Sequence, residues 1–283
     1  MKKLILITFL FFTHLTFAQK CLTFDTRFVD CLDKWVILPQ DENEIFTYGY
    51  VFLDEEFNLT FQEEGIFDIE NNCDFSPTKS KKVTRTKLEP SNILVSVVSE
   101  DKFLELQISE TQKQIKKSKE NIETYFQRGY LYNKWGESQK ALDMLIKVQE
   151  INPKFAGLDK EMAFAYNSLA MYDKALEILY SLREKHSKDA YIYRELIFAL
   201  TEAGKLKEAE YNLKHSVLVC KDIQYHGENC LNVLFRAFVE NDQEVFFQWL
   251  KKAKTWNKGN TKALGLIKKM EAEMKEGLNR NPH

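Results

Sequence analysis

Three short stretches decide the fold: Ala141-Leu142-Asp143-Met144-Leu145, Ala175-Leu176-Glu177-Ile178-Leu179 and Ala209-Glu210-Tyr211-Asn212-Leu213. They stand 34 residues apart, and each carries an alanine four residues ahead of a leucine, one helical turn along the same face. Read backwards in that frame, the first unit supplies Tyr125, Gly129 and Tyr132, the second Ala163 and Tyr166, and the third Tyr193 and Leu200. A fixed period of this length is the signature of stacked helical hairpins, in which no unit can bury its apolar face alone.

Within one unit, Tyr125, Gly129, Tyr132, Ala141, Leu145, Val148 and Pro153 fall at seven fixed positions. In these residues the chain resembles the tetratricopeptide repeat family. The resemblance implies that two helices of a hairpin cross where Gly129 meets Ala141, and again where Ala163 meets Ala175. A large side chain at such a crossing would push the backbones apart. Gly136 and Gly204 stand where the first helix reverses, and Pro153 stops the second. The third unit departs from the pattern: Ile197 takes the small position opposite Ala209, Ala170 replaces the turn glycine of the second unit, and Ser187 and Lys221 replace the terminal proline.

Around this frame the chain divides into a signal peptide over 1–18, a β-rich domain over 19–108, a polar linker over 109–120 and a helical domain over 121–283. The helical domain holds repeats at about 122–155, 156–189 and 190–223, a degenerate fourth hairpin over 226–257, and a capping helix over 261–278. The fourth hairpin is out of the 34-residue frame and lacks the small pair. The fold class is therefore α+β: a small antiparallel β domain followed by an all-α superhelix of helix-turn-helix repeats.

The N-terminal reading rests on Lys2-Lys3, the apolar run Leu4 to Phe17 and the small residue Ala18. That run is short for the roughly 20 residues that span a bilayer, so export by a cleaved signal, periplasmic or secreted, is expected. Lys20 stands between the cut and Cys21, against the pattern of a lipid-anchored cysteine.

β-Branched and aromatic runs at Trp35 to Leu38, Ile45 to Leu53, Leu59 to Phe61, Ile66 to Ile69, Val83 to Leu88 and Ile93 to Val98 predict a meander of five or six strands. Asp54-Glu55-Glu56 and Glu63-Glu64-Gly65 read as short connections, Pro77 to Lys82 as an exposed loop, and Ser99 to Leu106 as a short capped helix.

Export permits disulfides. Cys21 and Cys31 are separated by nine residues, as are Cys220 and Cys230, which suggests two local staples with Cys73 left over. Spacing alone does not fix connectivity.

Catalytic motifs are missing: there is no Gly-rich phosphate loop, no His-Glu-x-x-His, no Gly-x-Ser-x-Gly and no Cys-x-x-Cys. His215, Cys220, His226 and Cys230 are a conceivable zinc set, but their spacing matches no familiar finger. The acidic residues at 54–56 and 63–64 read as solvated turn charges, and the lysine-rich 113–119 as a linker. The sequence calls for no metal or other cofactor and assigns no catalytic residue. A net charge of −2 gives no basic footprint for nucleic acid.

The resemblance implies a concave surface lined by the first helix of each hairpin. Carried onto this chain, the family's peptide-reading positions are Phe126, Tyr130, Asn133 and Lys134, then Lys160, Phe164 and Asn167, then Tyr191, Arg194 and Phe198. Aromatics give contact area at low entropic cost, and amides pair with an extended backbone. A protein or peptide partner is therefore expected, held by a non-enzymatic scaffold. The alternatives are a structural subunit of an envelope complex and an enzyme whose site lies in the β domain. The Lys-Asn-Arg clamp by which chaperone-binding relatives hold a C-terminal carboxylate has no counterpart, since Phe126, Tyr130, Glu161, Tyr191 and Glu195 occupy its places.

Overall fold

The computed structural model describes residues 21–39, 45–54, 58–69, 75–87, 93–99, 106 and 121–280. The expected signal peptide, linker and lysine-rich segment, Cys73 and most of the helix expected before Leu106 lie outside them. The chain divides into two compact units, 1–124 and 125–283. The fold is α+β, with an antiparallel sheet ahead of the helices.

The first unit carries β1 (Thr26–Arg27), β2 (Trp35–Leu38), β3 (Phe46–Leu53), β4 (Leu59–Ile69), β5 (Phe75–Lys87) and β6 (Leu94–Val97). They form one sheet in the order β1-β6-β2-β3-β4-β5, so the arrangement is not a plain meander. The reason lies in β2, whose Trp35, Val36 and Ile37 are buried on both faces. A strand of that kind at a sheet edge would leave a row of unpaired amides beside apolar surface. β6 returns to cover it, setting Val97 opposite Val36.

Two expected connections are strand instead. Glu63-Glu64-Gly65 lies inside β4, where the register on β5 slips between Glu63 and Gly65. Pro77 to Lys82 lies in β5, with Pro77 opposite Phe67. Because β5 is the edge of the sheet, a residue without an N–H is tolerated there. Asp54 does support a turn, accepting from the Asn58 amide at 2.8 Å and the Thr60 hydroxyl at 3.1 Å.

The second unit, among the described residues, is a run of helices: α1 (Ile122–Lys134), α2 (Ser138–Ile151), α3 (Leu158–Ser168), α4 (Tyr172–Lys185), α5 (Ala190–Glu202), α6 (Leu206–Val219), α7 (His226–Val239), α8 (Gln243–Trp256) and α9 (Thr261–Arg280). They pair as four helical hairpins followed by a single helix. Ala141, Ala163, Ala175 and Ala209 are fully buried, as is Ile197. A methyl group on Gly129 would stand 2.7 Å from Leu145 Cγ and Cδ2, so glycine lets α1 approach α2.

Each first helix ends the same way. The residue that reverses the chain is left-handed: Gly136 at φ 76°, Ala170 at 56°, Gly204 at 74° and Asn241 at 53°. The amide after it returns to the last turn, Glu137 to Tyr132, Met171 to Tyr166, Lys205 to Leu200 and Asp242 to Ala237, each at 2.8 Å. These are Schellman caps, which satisfy carbonyls that the helix end would leave orphaned. They place the fourth hairpin 37 residues after the third, three more than the earlier spacing.

The fourth hairpin lacks the small pair, as its sequence indicates. The places of Gly129 and Ala141 relative to the cap are taken by Leu234 and Phe246, both fully buried, while Ala237 and Ala253 are the small buried residues. α9 closes the array by burying Ala263, Ile267, Met270 and Met274, one stripe of its surface.

Neither expected staple forms, because Cys31, Cys220 and Cys230 are free, buried thiols. Cys31 donates to the Arg27 carbonyl at 3.5 Å and Cys230 to the Trp249 carbonyl at 3.8 Å. Each is a small apolar residue of its own core, and burial pushes the Cys31 thiol up to about 11 and the Cys230 thiol up to about 12.

Two substitutions test the hairpin geometry in opposite directions. Gly129→Ala should lower thermal stability by about 1–3 kcal/mol through overpacking. Ala170→Gly should raise it by roughly 0.5–1 kcal/mol, because the left-handed cost of alanine exceeds the extra chain entropy of glycine. Chemical denaturation of both variants beside the parent protein checks the two signs.

Candidate functional site

The open face of the first helices follows from the bonds between hairpins. The residue three before each left-handed cap lies on the side of its helix that meets the next hairpin. Asn133 donates through Nδ2 to the Glu161 carbonyl at 2.9 Å and to Glu161 Oε2 at 3.0 Å. Asn167 repeats this on Glu195, at 3.1 Å to the carbonyl and 2.9 Å to Oε2. Glu161 and Glu195 sit nine residues before the next cap, on the opposite flank. The residue six before the cap lies midway between these flanks.

That midway position is held by Tyr130, Phe164, Phe198 and Phe235. Tyr130 and Phe235 are each 45% exposed, and Phe164 and Phe198 are half-buried. Phe198 meets Tyr172 edge to face with centroids 6.3 Å apart, and Tyr191 meets Tyr225 in the same way at 6.3 Å. Phe126 is set back: its ring packs on Phe155 at 4.9 Å, and Gly157 passes beneath it.

The structure thus sets Tyr130, Phe164 and Phe198 at one repeated position and gives the two asparagines another role. Both are 4% exposed, and their donor groups are engaged between hairpins rather than offered to a peptide. Their Oδ1 atoms are buried without a hydrogen-bond partner. The 28-residue separation of Asn133 from Glu161 and of Asn167 from Glu195 was the available signal for this ladder. Phe235 was missed because the 34-residue frame does not reach it.

Charges on this face are tightly arranged. Lys160 Nζ meets Asp189 Oδ2 at 2.5 Å, and the same carboxylate caps α5 by accepting from the Tyr191 and Ile192 amides. Arg194 is held between Glu195 at 2.5 Å and Glu228 at 2.9 Å. Burial holds the Glu161 carboxyl above the usual range, with Glu195 adding to the effect and the Asn133 hydrogen bond opposing it. Burial likewise raises Glu195, against the Asn167 bond and Arg194. Tyr191 is pushed well up by burial and by both carboxylates.

The other sequence candidates are separate. His215 Nδ1 lies 2.6 Å from the Tyr193 hydroxyl, while His226 is buried against Trp256, with ring centroids 5.2 Å apart. Among the described residues no group of three or more His, Cys, Asp or Glu is arranged to hold a metal ion. Among them, too, no helix is long and apolar enough to cross a membrane.

No protein-family model matches the chain, and no curated protein matches it. Among solved structures it is similar to MamA AMB-1, at 19% identity and TM-score 0.42, covering 52% of this chain and 79% of that one. It is similar also to MamA 41-end from Desulfovibrio magneticus RS-1, at 17% identity and TM-score 0.45, covering 57% and 87%. A third is a tetratricopeptide repeat protein from Parabacteroides merdae ATCC 43184, at 17% identity and TM-score 0.42, covering 60% and 62%.

A carboxyl whose folded value lies above its unfolded one favours the fold while protonated and weakens it once ionised. Stability from Glu161 is therefore lost as pH rises from the ordinary carboxylate range toward the folded value. Glu161→Gln removes the ionisation, keeps an acceptor for Asn133 Nδ2, and brings an NH2 group that can reach the unsatisfied Oδ1. It should raise stability at pH 7.5 by about 1 kcal/mol. The gain should shrink at about pH 4.5, which melting curves at the two pH values check.

Proposed function

We propose that this chain is an exported, non-enzymatic scaffold that holds a segment of a partner protein on the open face of its hairpins. The reading of export rests on Lys2-Lys3, the apolar run to Phe17 and Ala18. The observation that carries the binding function is the aromatic column, one residue per hairpin, whose two ends are each 45% exposed. Large aromatics left partly in water at a repeated position of a rigid frame are poor for solubility and well suited to contact. The helices beneath them are fixed by caps and inter-hairpin bonds, so the surface is organised before a partner arrives.

Tyr130, Tyr191 and Phe198 are the proposed contacts, with Phe164 between them. Arg194 and Lys160 position the face through the carboxylates of Asp189, Glu195 and Glu228 and are not primary contacts. Phe126 supports the turn after α2 rather than the partner.

A photoreactive benzoylphenylalanine placed at Tyr130 in intact cells should trap a discrete partner. The same residue placed at Leu218, 82% exposed on α6, should not trap that partner. Identical products from both positions would remove the support for an organised site.

A further inference from the structure

The chain has five cysteines. Cys31, Cys220 and Cys230 are free thiols. Cys21 is different, because it is disulfide-bonded. With three thiols excluded, Cys73 is the one cysteine of this chain left to pair with it.

The sheet brings the chain neighbours of both cysteines to one cluster. Leu22, next to Cys21, is 4% exposed in the core that holds Phe67 of β4, and Ile69 and Phe75 pack against that core. Ile69 ends β4, Phe75 begins β5, and the two are register partners. Cys73 stands two residues before Phe75 in the chain. A row of rings links the same places: Phe24 stacks on Phe46 at 6.0 Å, Phe46 on Phe67 at 5.3 Å, and Phe67 meets Phe75 at 4.9 Å.

The segment is long enough to bridge. Phe24 lies against Phe46 of β3, and the three residues back to Cys21 reach about 10 Å when extended. That matches the two strand spacings, about 4.8 Å each, from β3 to β5. At its other end the segment becomes β1, Thr26–Arg27, which pairs with β6 at the opposite edge of the sheet. Residues 21–27 therefore run across the sheet.

Thiol chemistry agrees with this pairing. Disulfide exchange proceeds through a thiolate. Burial pushes the Cys31 thiol up to about 11 and the Cys230 thiol up to about 12, and it raises Cys220 as well. Those three stay protonated inside their cores, whereas Cys21 is only half-buried.

We infer that Cys21 and Cys73 form a disulfide that fastens the N-terminal segment across the sheet, and that this chain is a substrate of thiol–disulfide exchange once exported. The inference rests on the export reading above, since a reducing cytosol keeps thiols unpaired. The two thiols lose two protons and two electrons as the S–S bond forms, and an oxidised disulfide donor takes them up and leaves as its dithiol. The bond closes a loop of roughly 50 residues, inside which β1 to β4 lie.

The test takes the full chain from cells quenched with iodoacetamide and maps an unreduced tryptic digest by mass spectrometry. A species joining residues 21–27 to residues 35–79 is expected, and reduction should split it. Dithiothreitol should lower the melting temperature of the purified chain by about 10 °C. Cys21→Ser should show the same fall and no further response to dithiothreitol. Alkylated thiols at both positions in chain recovered outside the cytoplasm, Cys21 joined to any other cysteine, or a melting temperature indifferent to dithiothreitol would each overturn the inference. Recovery of the chain from the cytoplasm alone, with both thiols alkylated, would sink the export reading. The pairing then stands if glutathione disulfide forms the same link in the purified chain, and falls if it does not.

Discussion

The left-handed residue that ends each first helix is the constraint on which the helical domain depends. An α-helix leaves its last carbonyls without partners, and a chain that must double back within a few residues has few ways to satisfy them. A residue with φ near 50–75° does so, because it turns the following amides back onto the final turn. Once that reversal is set, the second helix starts in a fixed direction and the faces that meet are decided. Gly129 can then lie against Leu145, and the alanines can fill the remaining crossings.

The helical frame was legible because its requirements are local and repeat. Small residues at the crossings, glycines at two of the reversals and a leucine one turn after each alanine can be read without knowing what packs on what. Ala170 and Asn241 stand at the other two reversals, where position in the hairpin marks them although neither residue type demands the left-handed region. Asn241 is the residue after glycine that best tolerates it. In the β domain the strands were legible and their order was not. Pairing β6 with β2 depends on burial of both faces of Trp35-Val36-Ile37, and an apolar run alone does not reveal what lies beside it. Pro77 misled for the same reason: proline excludes an interior strand and not an edge one. The cysteines misled through equal spacing, which carries no information about distance in the fold.

At the site, the residue types were legible and their allegiance was not. Asn133 and Asn167 stand at positions suited to reading a peptide, yet their amides join consecutive hairpins through Glu161 and Glu195. The ladder ties the backbone carbonyl and the carboxylate of the same glutamate to one amide. It thereby fixes both the spacing of adjacent first helices and the side-chain direction of the acid between them. The arrangement buries both carboxyl groups, and burial holds each above the usual carboxylate range. Two amide oxygens are left unsatisfied beside them.

The fourth hairpin shows which features are architectural and which belong to the surface. Three extra residues enter before it, the small pair gives way to Leu234 and Phe246, and the ladder asparagine, already Thr201 in the third hairpin, is Phe238 here. Packing has been solved differently, with Trp249 donating to Glu210 at 3.1 Å and Asn257 to the Gly227 carbonyl at 2.9 Å. What persists is the Schellman cap and the aromatic six residues before it. The cap is needed to reverse the chain. The aromatic is not needed by the core of this hairpin, where Val233, Leu234, Ala237 and Phe246 are already buried. Its recurrence after the rest of the repeat has changed is what a requirement imposed from the open face would produce.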